Sequence, residues 1–504
     1  MRGFIARLPF LVALIGIAAL AMLIPAAMAM VTGDHATGRA FLYAALFFLV
    51  LAMLLGLATQ AGPPATSARP LLLGLIAAYA LLPVVLAVPV MDAVGNTTFF
   101  NAYFEMVSAL TTTGATVFDP DRLSPAVHLW RGLVGWLGGF LVWVTAAAVM
   151  APLSLGGFEV AAEAQVGAAA LSRAPMQGAN PGERLRRTMR HLAPVYVGLT
   201  GSLWLLQVLA GEADLAAVIH AMSTMATSGI SPDDGLAGTQ GGILSEAFIL
   251  IFLVFAISRH SFNRRPDAAL LRVLGQDREL RLALYVTVTL TTLLFLRHWI
   301  GALDLADPGS GTDALAALWG SFFTAMSFAT TTGFVSDYWG ASRSWSGLPT
   351  PGLVLIGLAL MGGGVATTAG GIKLLRVYAL YKHGLREMSK LIHPHSVASG
   401  GQLGRRIRRQ GAYIAWVFFM LFILSMAASM LALAVVGVEF EAALVLSVSA
   451  LSTTGPLATY GAGEPIVYAA LSEPAKAILA AAMIVGRLET LVLIALLNPS
   501  YWRV

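Results

Sequence analysis

Residues 108–118 read SALTTTGATVF, and residues 327–335 read SFATTTGFV. Related clusters occur as ATSGIS at 226–231 and STTGPL at 452–457. The central glycines of the four clusters are Gly114, Gly229, Gly333 and Gly455, which follow one another at intervals of 115, 104 and 122 residues. One cluster that recurs at a nearly constant interval indicates a fourfold internal repeat.

The composition around these clusters is that of a membrane protein. Of 504 residues, 58% are hydrophobic and 11% charged, with a mean hydropathy of +0.78, whereas a soluble domain averages about 25% charged residues. Several apolar stretches exceed the roughly 18 residues that cross a bilayer, and they lack the alternation of a membrane barrel. The sequence therefore predicts an all-α membrane protein.

Hydropathy predicts ten full spans. They lie near 8–31, 40–61, 70–91, 128–152, 192–210, 243–258, 282–300, 350–372, 412–437 and 475–497. The first thirty residues also have the basic start and apolar core of a signal peptide. We prefer a retained first span, because the apolar run from Leu8 to Val31 is long for a signal core.

A shorter apolar segment precedes each glycine cluster, at 98–110, 215–225, 315–329 and 440–451. At 1.5 Å per residue, even the longest reaches only about 22 Å, less than the hydrocarbon core of about 30 Å. These segments are predicted to dip in and return. Each repeat then reads span, half-length helix, hydroxyl-glycine loop, span. Because each repeat crosses twice, all four have one orientation, unlike the inverted halves of many transporters.

The predicted fold class is four pore-loop repeats around one central pore, plus two extra N-terminal transmembrane helices. The predicted segments are the two N-terminal helices at 1–66, repeat 1 at 67–170, repeat 2 at 171–265, repeat 3 at 266–400 and repeat 4 at 401–504.

Basic residues predict the orientation. If the N-terminus is cytoplasmic, 24 of the 31 Lys and Arg residues fall on inner segments, mainly 173–190, 259–281 and 373–409, and six fall on outer ones. The positive-inside rule then places both termini in the cytoplasm and the half-length helices on the outer side. Acidic residues are concentrated outside, which either concentrates cations at the mouth or merely solvates the loops.

The glycine loops suggest a cation pathway. Non-helical backbone at membrane depth is tolerated where it is buried in protein or lines a watery cavity. Glycine lets successive carbonyls point to one side, and a ring of carbonyl oxygens can replace the water shell of an alkali cation. The half-length helices would direct the negative ends of their dipoles at that ring. The alternative is that the clusters serve helix packing.

Enzyme signals are weak. The chain has no cysteine, and HExxH, GKS/GKT and GxSxG patterns do not occur. His393 and His395 could touch a metal, but a solvated loop is the preferred interpretation. An intramembrane enzyme or lipid-binding scaffold would need clustered carboxylates, histidines or a nucleophile, and only Arg487 and Glu489 lie at matching depth. The chain is therefore predicted not to be an enzyme, and no organic cofactor is expected.

The run GGGVATTAGGIK at 362–373 interrupts a predicted span. Glycine-rich sequence loosens a helix, so a movable strip below the loops is predicted, with close packing of small residues as the alternative. A phosphate-binding loop is not favoured, because no GK[ST] follows. Arg487 lies within the last span, two residues before Glu489. It is either a positive charge in the pore or a structural residue with a buried partner.

With the TTTGAT cluster and its copies, GGGVATTAGGIKLLR at 362–376 and MIVGRLETL at 483–491, the chain resembles the TrkH/TrkG/KtrB potassium-transporter superfamily, most closely TrkH. The resemblance covers residue 70 to the end. It implies four M1-P-M2 units, a homodimer, a cytosolic TrkA-type nucleotide-binding ring, and potassium as the transported ion. Rubidium or sodium could also pass. Membrane lipids are further expected partners, and nucleic acid is not.

The resemblance also assigns site residues. The selectivity filter would be Thr112, Thr113, Gly114 and Ala115; Thr227, Ser228, Gly229 and Ile230; Thr331, Thr332, Gly333 and Phe334; and Thr453, Thr454, Gly455 and Pro456. The gating residues would be Gly362, Gly363, Gly364, Thr367, Thr368, Gly370, Gly371 and Arg487. Ser228 and Pro456 depart from the family pattern and leave the fine geometry of two loops open.

The resulting hypothesis is potassium uptake across a bacterial inner membrane through a gated, channel-like pore. Symport of potassium with sodium or protons is the alternative.

Overall fold

The computed structural model describes residues 10–59, 68–150, 181–258 without 234 and 237, 275, 277–301, 311–392 without 349, and 402–489. All regular secondary structure in these ranges is helical. The prediction of an all-α protein is confirmed for this part of the chain. His393, His395 and the basic residues of 259–274 lie outside the described residues.

Eight helices form the long framework. Their bounds are α1 Phe10–Ala21, α2 Leu23–Val31, α3 His35–Ala58, α4 Ala68–Val94, α6 Pro125–Thr145, α7 Pro181–Leu209, α10 Arg278–Gly301 and α15 Gln402–Val435. A π-helical turn, Ala146–Met150, extends α6. With α1 and α2 taken as one span, Phe10–Val31, the described residues contain seven helices that are long and apolar enough to cross a membrane.

Four short helices match the predicted half-length segments within a few residues. They are α5 Phe99–Leu110, α8 Asp214–Ala226, α11 Gly311–Ala329 and α16 Phe440–Leu451. Each ends where its glycine cluster begins. The clusters are called loops 1 to 4 below, at 111–116, 226–231, 330–335 and 452–457.

Six further α-helices occur in the described residues. They are α9 Gly242–Ile257, α12 Trp339–Ser346, α13 Gly352–Met361, α14 Leu374–Ile392, α17 Leu457–Tyr460 and α18 Glu473–Leu488. The span predicted at 350–372 is divided at the glycine run, because α13 ends at Met361 and Gly362 has a φ of 69°. Likewise Arg487 lies in the last turn of α18 and not in mid-helix, since Glu489 leaves the helix with a φ of 59°.

The short helices pack in a cyclic order. Each contacts one helix that precedes it and one that follows it in the chain: α5 contacts α4 and α6, α8 contacts α7 and α9, α11 contacts α10 and α13, and α16 contacts α15 and α18. Each short helix also contacts a helix that flanks the previous short helix: α8 contacts α6, α11 contacts α9, and α16 contacts α13. In the same way α5, the first, contacts α18, which flanks the last. The last contact closes the cycle. Helices α1 to α3 pack outside it, against α4 and α6.

Candidate cation pathway

One backbone turn occurs four times at the ends of the short helices. Its first residue is a threonine with a left-handed φ, at Thr112 (56°), Thr227 (52°), Thr331 (58°) and Thr453 (54°). This conformation is costly for a β-branched residue and persists only where the surroundings impose it. The amide of the next residue donates to the carbonyl of a serine five positions earlier, at 2.8, 3.0, 3.0 and 2.9 Å in loops 1 to 4. The sequence repeat is therefore a repeat of backbone geometry.

The four loops also touch one another in order. A methyl group added to Gly114 would overlap the Ser228 carbonyl oxygen, and one added to Gly229 would overlap the Thr332 carbonyl oxygen. A methyl on Gly333 would lie 3.0 Å from the Pro456 ring, and one on Gly455 would overlap the Ala115 amide. The contacts run from loop 1 through loops 2, 3 and 4 and back to loop 1. Backbone at this spacing leaves room for glycine alone.

All sixteen residues that the sequence assigns to the filter lie in this ring of loops, and most are fully buried. The two departures noted in the sequence differ in effect. Loop 2 keeps the common turn, and the Ser228 hydroxyl donates to Ser223 at 3.0 Å. Loop 4 has the left-handed threonine and the bond to the serine carbonyl, but it departs from the other loops at its glycine. Gly455 lacks the positive φ of the other three glycines, and Pro456 is the residue before α17.

The predicted gating residues lie against this ring. The Gly370 amide donates to the Thr331 hydroxyl of loop 3 at 2.7 Å. A methyl group on Gly370 would overlap Ser452 and Thr453 of loop 4. The Thr368 hydroxyl donates to the Met225 carbonyl near the end of α8 at 3.2 Å. The segment 362–373 thus contacts loop 3, loop 4 and the end of α8 directly.

The segment is irregular and held at several points. The Gly364 amide donates to Ala256 at 3.1 Å, and the Val365 amide donates to the Glu279 carboxylate at 2.9 Å. The Thr367 hydroxyl donates to the Gly364 carbonyl at 2.7 Å. Gly362 and Gly371 have left-handed φ values of 69° and 75° and pack against each other. The prediction that this run breaks the helix is confirmed, and its role in gating stays a prediction.

Arg487 lies between the ring and this segment. Its side chain is buried and donates to the Thr453 hydroxyl at 3.4 Å and to the Thr368 carbonyl oxygen. One guanidinium therefore contacts both loop 4 and segment 362–373. This position is compatible with both sequence interpretations, a positive charge in the pathway and a structural residue with buried partners.

Two basic residues of the predicted inner segment 373–409 are buried. Arg376 is fully buried and donates to Glu489 at 2.8 Å, with its guanidinium 3.6 Å from the centre of the Phe418 ring. Lys373 is 6% exposed and donates to the Ala369 carbonyl oxygen. The sequence predicted an orientation role for the basic residues of 373–409 and did not predict that these two would be buried. Both residues lie in the run 362–376. Their position directly after an apolar, glycine-rich segment is the sequence feature that could have indicated their burial.

Sequence reasoning also missed the polar groups behind the loops. Serines precede the four glycines by six residues, at Ser108, Ser223, Ser327 and Ser449, and all are fully buried. This constant offset could have been read from the sequence.

Two carboxylates fix the chain after loops 1 and 3. Glu105 accepts from Arg131 at 2.6 Å and from the Val117 amide at 3.0 Å. Glu246 accepts from the Ser336 hydroxyl at 2.8 Å and from the Asp337 amide at 2.8 Å. These acidic residues are buried and bonded, and so do not contribute to a solvated acidic mouth.

Comparison with known proteins decides the family. A family model described as TrkH, cation transport protein, matches residues 280–503. The potassium uptake proteins TrkH of Salmonella typhimurium and of Escherichia coli K12 are each 30% identical over 488 residues, which is 96% of this chain and 96% of theirs. This chain belongs to the TrkH family.

The fold agrees with that membership. The crystal structure of the potassium transporter TrkH from Vibrio parahaemolyticus matches with a TM-score of 0.81 at 24% identity, over 99% of this chain and 100% of that one. The predicted resemblance is confirmed. This TrkH-family chain is a multi-pass membrane protein of a potassium uptake family, and its relatives are named as transporters and not as enzymes.

Proposed function

We propose that this chain takes up potassium through a channel-like pore whose selectivity filter is the ring of loops 1 to 4. The observation that carries the proposal is the cyclic contact of four loops that share a left-handed threonine, each at the end of a short helix. Carbonyl oxygens in such a ring can replace the hydration shell of a bare cation. Rubidium, and sodium less readily, would use the same oxygens. An inside-negative membrane potential would drive uptake by about 2.3 kcal/mol per charge per 100 mV.

The short helices support a cation over an anion. Each ends at its loop, so that the negative end of its dipole lies at the ring. Four such ends converge on one place. Together they favour a monovalent cation there without any acidic side chain.

Segment 362–373 and Arg487 form the proposed gate. The segment bonds to Thr331 and lies against Ser452 and Thr453, while Arg487 contacts both the segment and loop 4. A chain at this position obstructs ions leaving the ring, and the guanidinium charge raises the barrier further. Opening would move the segment away from the loops.

The finer architecture is part of the same proposal. Four M1-P-M2 units, with the boundaries given above, would follow the two N-terminal helices, with both termini in the cytoplasm of a bacterial inner membrane. We further propose a homodimer controlled by a cytosolic TrkA-type nucleotide-binding ring, which would contact the inner basic segments. Anionic membrane lipids would bind the same segments.

Rubidium uptake in cells that lack their own potassium systems tests the filter. Gly114→Ala should abolish uptake, because the added methyl overlaps the Ser228 carbonyl oxygen. Gly340→Ala is the matched control, since a methyl there meets nothing within 4 Å. Normal uptake by a folded Gly114→Ala protein would refute the filter. Fluxes at clamped voltage, with and without sodium or proton gradients, would separate the channel from the alternative symporter.

A further inference from the structure

Carbonyl direction distinguishes loop 4 from the other three loops. The carbonyl oxygens of Thr113, Ser228 and Thr332 occupy equivalent positions, one residue before the glycine. Each lies against the glycine of the preceding loop, at Gly455, Gly114 and Gly229 respectively. The fourth equivalent oxygen belongs to Thr454 and should lie against Gly333. The Pro456 ring lies there instead.

The Thr454–Gly455 peptide is turned over. Its N–H donates to the Thr113 carbonyl oxygen of loop 1 at 2.5 Å, while its C=O accepts from the Ser449 hydroxyl at 2.9 Å. In a trans peptide the N–H and C=O point in opposite directions. The two hydrogen bonds therefore give the same orientation for this peptide: its N–H faces loop 1, and its oxygen faces away from loop 1, towards α16.

The next carbonyl is also held outward. The Gly455 oxygen accepts from the Tyr468 hydroxyl at 3.1 Å, and the Tyr468 and Ser449 hydroxyls lie 2.8 Å apart. Tyr468 is 6% exposed, and its ring packs on Phe104 at 5.9 Å between centroids. Two buried hydroxyls thus hold two consecutive carbonyls.

This anchoring belongs to loop 4. The Ser108 and Ser327 hydroxyls, which match Ser449 in loops 1 and 3, have no hydrogen-bond partner within the part of the chain that the structure describes. The Ser223 hydroxyl of loop 2 accepts from Ser228 and contacts no filter carbonyl there. The four serines are equivalent in sequence, but their hydroxyls differ in hydrogen-bond partners: of the four, only the Ser449 hydroxyl bonds to a filter carbonyl in the described residues.

We propose that Ser449 and Tyr468 are positioning residues that set the cation selectivity of the pathway by holding the Thr454 and Gly455 carbonyl oxygens away from the other three loops. At the position where the other loops present a carbonyl oxygen, loop 4 then presents the Gly455 N–H. That N–H also donates to the Thr113 carbonyl oxygen, which is thereby less available to a cation. A dehydrated potassium ion has fewer ligands there, so discrimination against sodium is weaker than four inward carbonyls would give. This inference rests on the proposed filter function.

Removal of either hydroxyl should release its carbonyl. We would measure the sodium concentration that half-inhibits rubidium uptake, relative to the half-saturating rubidium concentration, in Tyr468→Phe, Ser449→Ala and the double variant. One hydrogen bond lost from the outward position should raise this ratio about twofold to tenfold. Tyr103→Phe is the control, because it removes a tyrosine hydroxyl that bonds to the Ala80 carbonyl at 3.1 Å, outside the loops.

A second measurement keeps the test valid if uptake is poor. The melting temperature of the purified protein should rise more with potassium than with sodium, and this difference should be larger in Tyr468→Phe and Ser449→Ala than in wild type. An unchanged or smaller preference for potassium in both folded variants would overturn the inference. Failure of the filter proposal looks different: Gly114→Ala would then retain rubidium uptake.

Discussion

The buried pair of Arg376 and Glu489 gives the sharpest prediction about stability. It joins the start of α14 to the chain just beyond α18, with side chains 0% and 9% exposed. Removing one partner of such a pair typically costs about 3–5 kcal/mol, because the other charge stays buried. For Glu489→Leu we expect the lower end, about 3 kcal/mol, since Arg376 keeps the Phe418 ring and the Ile372 carbonyl at 3.3 Å. Arg376→Met should cost at least as much.

The double variant decides whether the pair is the cause. Replacing both charges of a buried pair by apolar groups is often neutral or stabilising, so Arg376→Met with Glu489→Leu should recover most of the lost stability. Denaturant titration of the detergent-purified protein, followed by helical circular dichroism, gives the four free energies of the cycle. The exposed Lys382→Met controls for loss of positive charge on α14 and should stay within about 0.5 kcal/mol of wild type. Losses that simply add in the double variant would refute the reasoning.

Three further perturbations test the site. Arg487→Gln should raise rubidium flux through the protein reconstituted without a partner, by about tenfold for each 1.36 kcal/mol of barrier removed, and unchanged flux would contradict a guanidinium barrier. Thr331→Val removes the hydroxyl that accepts from the Gly370 amide at 2.7 Å. An unpaired buried amide costs about 1–3 kcal/mol, which would destabilise the closed position of segment 362–373, so basal rubidium flux should rise. Thr292→Val on α10 is the control and should leave the flux unchanged. Glu105→Ala should lower the free energy of unfolding by about 3–5 kcal/mol, and a normal melting temperature would show that its buried ion pair contributes little.

The sequence predicted the repeat because it depends on local rules. Hydropathy located α16 at Phe440–Leu451 to the residue, and the spacing of Gly114, Gly229 and Gly333 identified three positions that adopt left-handed φ values. Loop 4 was noted as different because proline follows its glycine. The sequence could not predict the hydrogen-bond partners of the reoriented Thr454–Gly455 segment. Tyr468, which bonds to the Gly455 carbonyl, lies 13 residues further along the chain and on a separate turn.

Partners that are distant in sequence account for the errors. Arg376 and Glu489 are 113 residues apart, and charge counting treated the arginine only as one of the inner basic residues that set orientation. The helix break at Met361 was foreseen as a loosening, but its extent was not. That extent depends on Glu279 and Ala256, which bond to the freed backbone from other helices.

The bonds of segment 362–373 predict that the proposed gating movement would be all-or-none. Irregular backbone in a membrane must have its polar groups satisfied by protein or water. Here the partners come from several directions: Thr331 for Gly370, Glu279 for Val365 and Ala256 for Gly364. A small displacement would break all of these bonds without replacing any, because each partner is fixed in a different element. If the segment is the gate, as proposed, we therefore expect it to be stable either in full contact with the loops or fully withdrawn into a hydrated cavity, and bistable elements of this kind serve as switches in proteins.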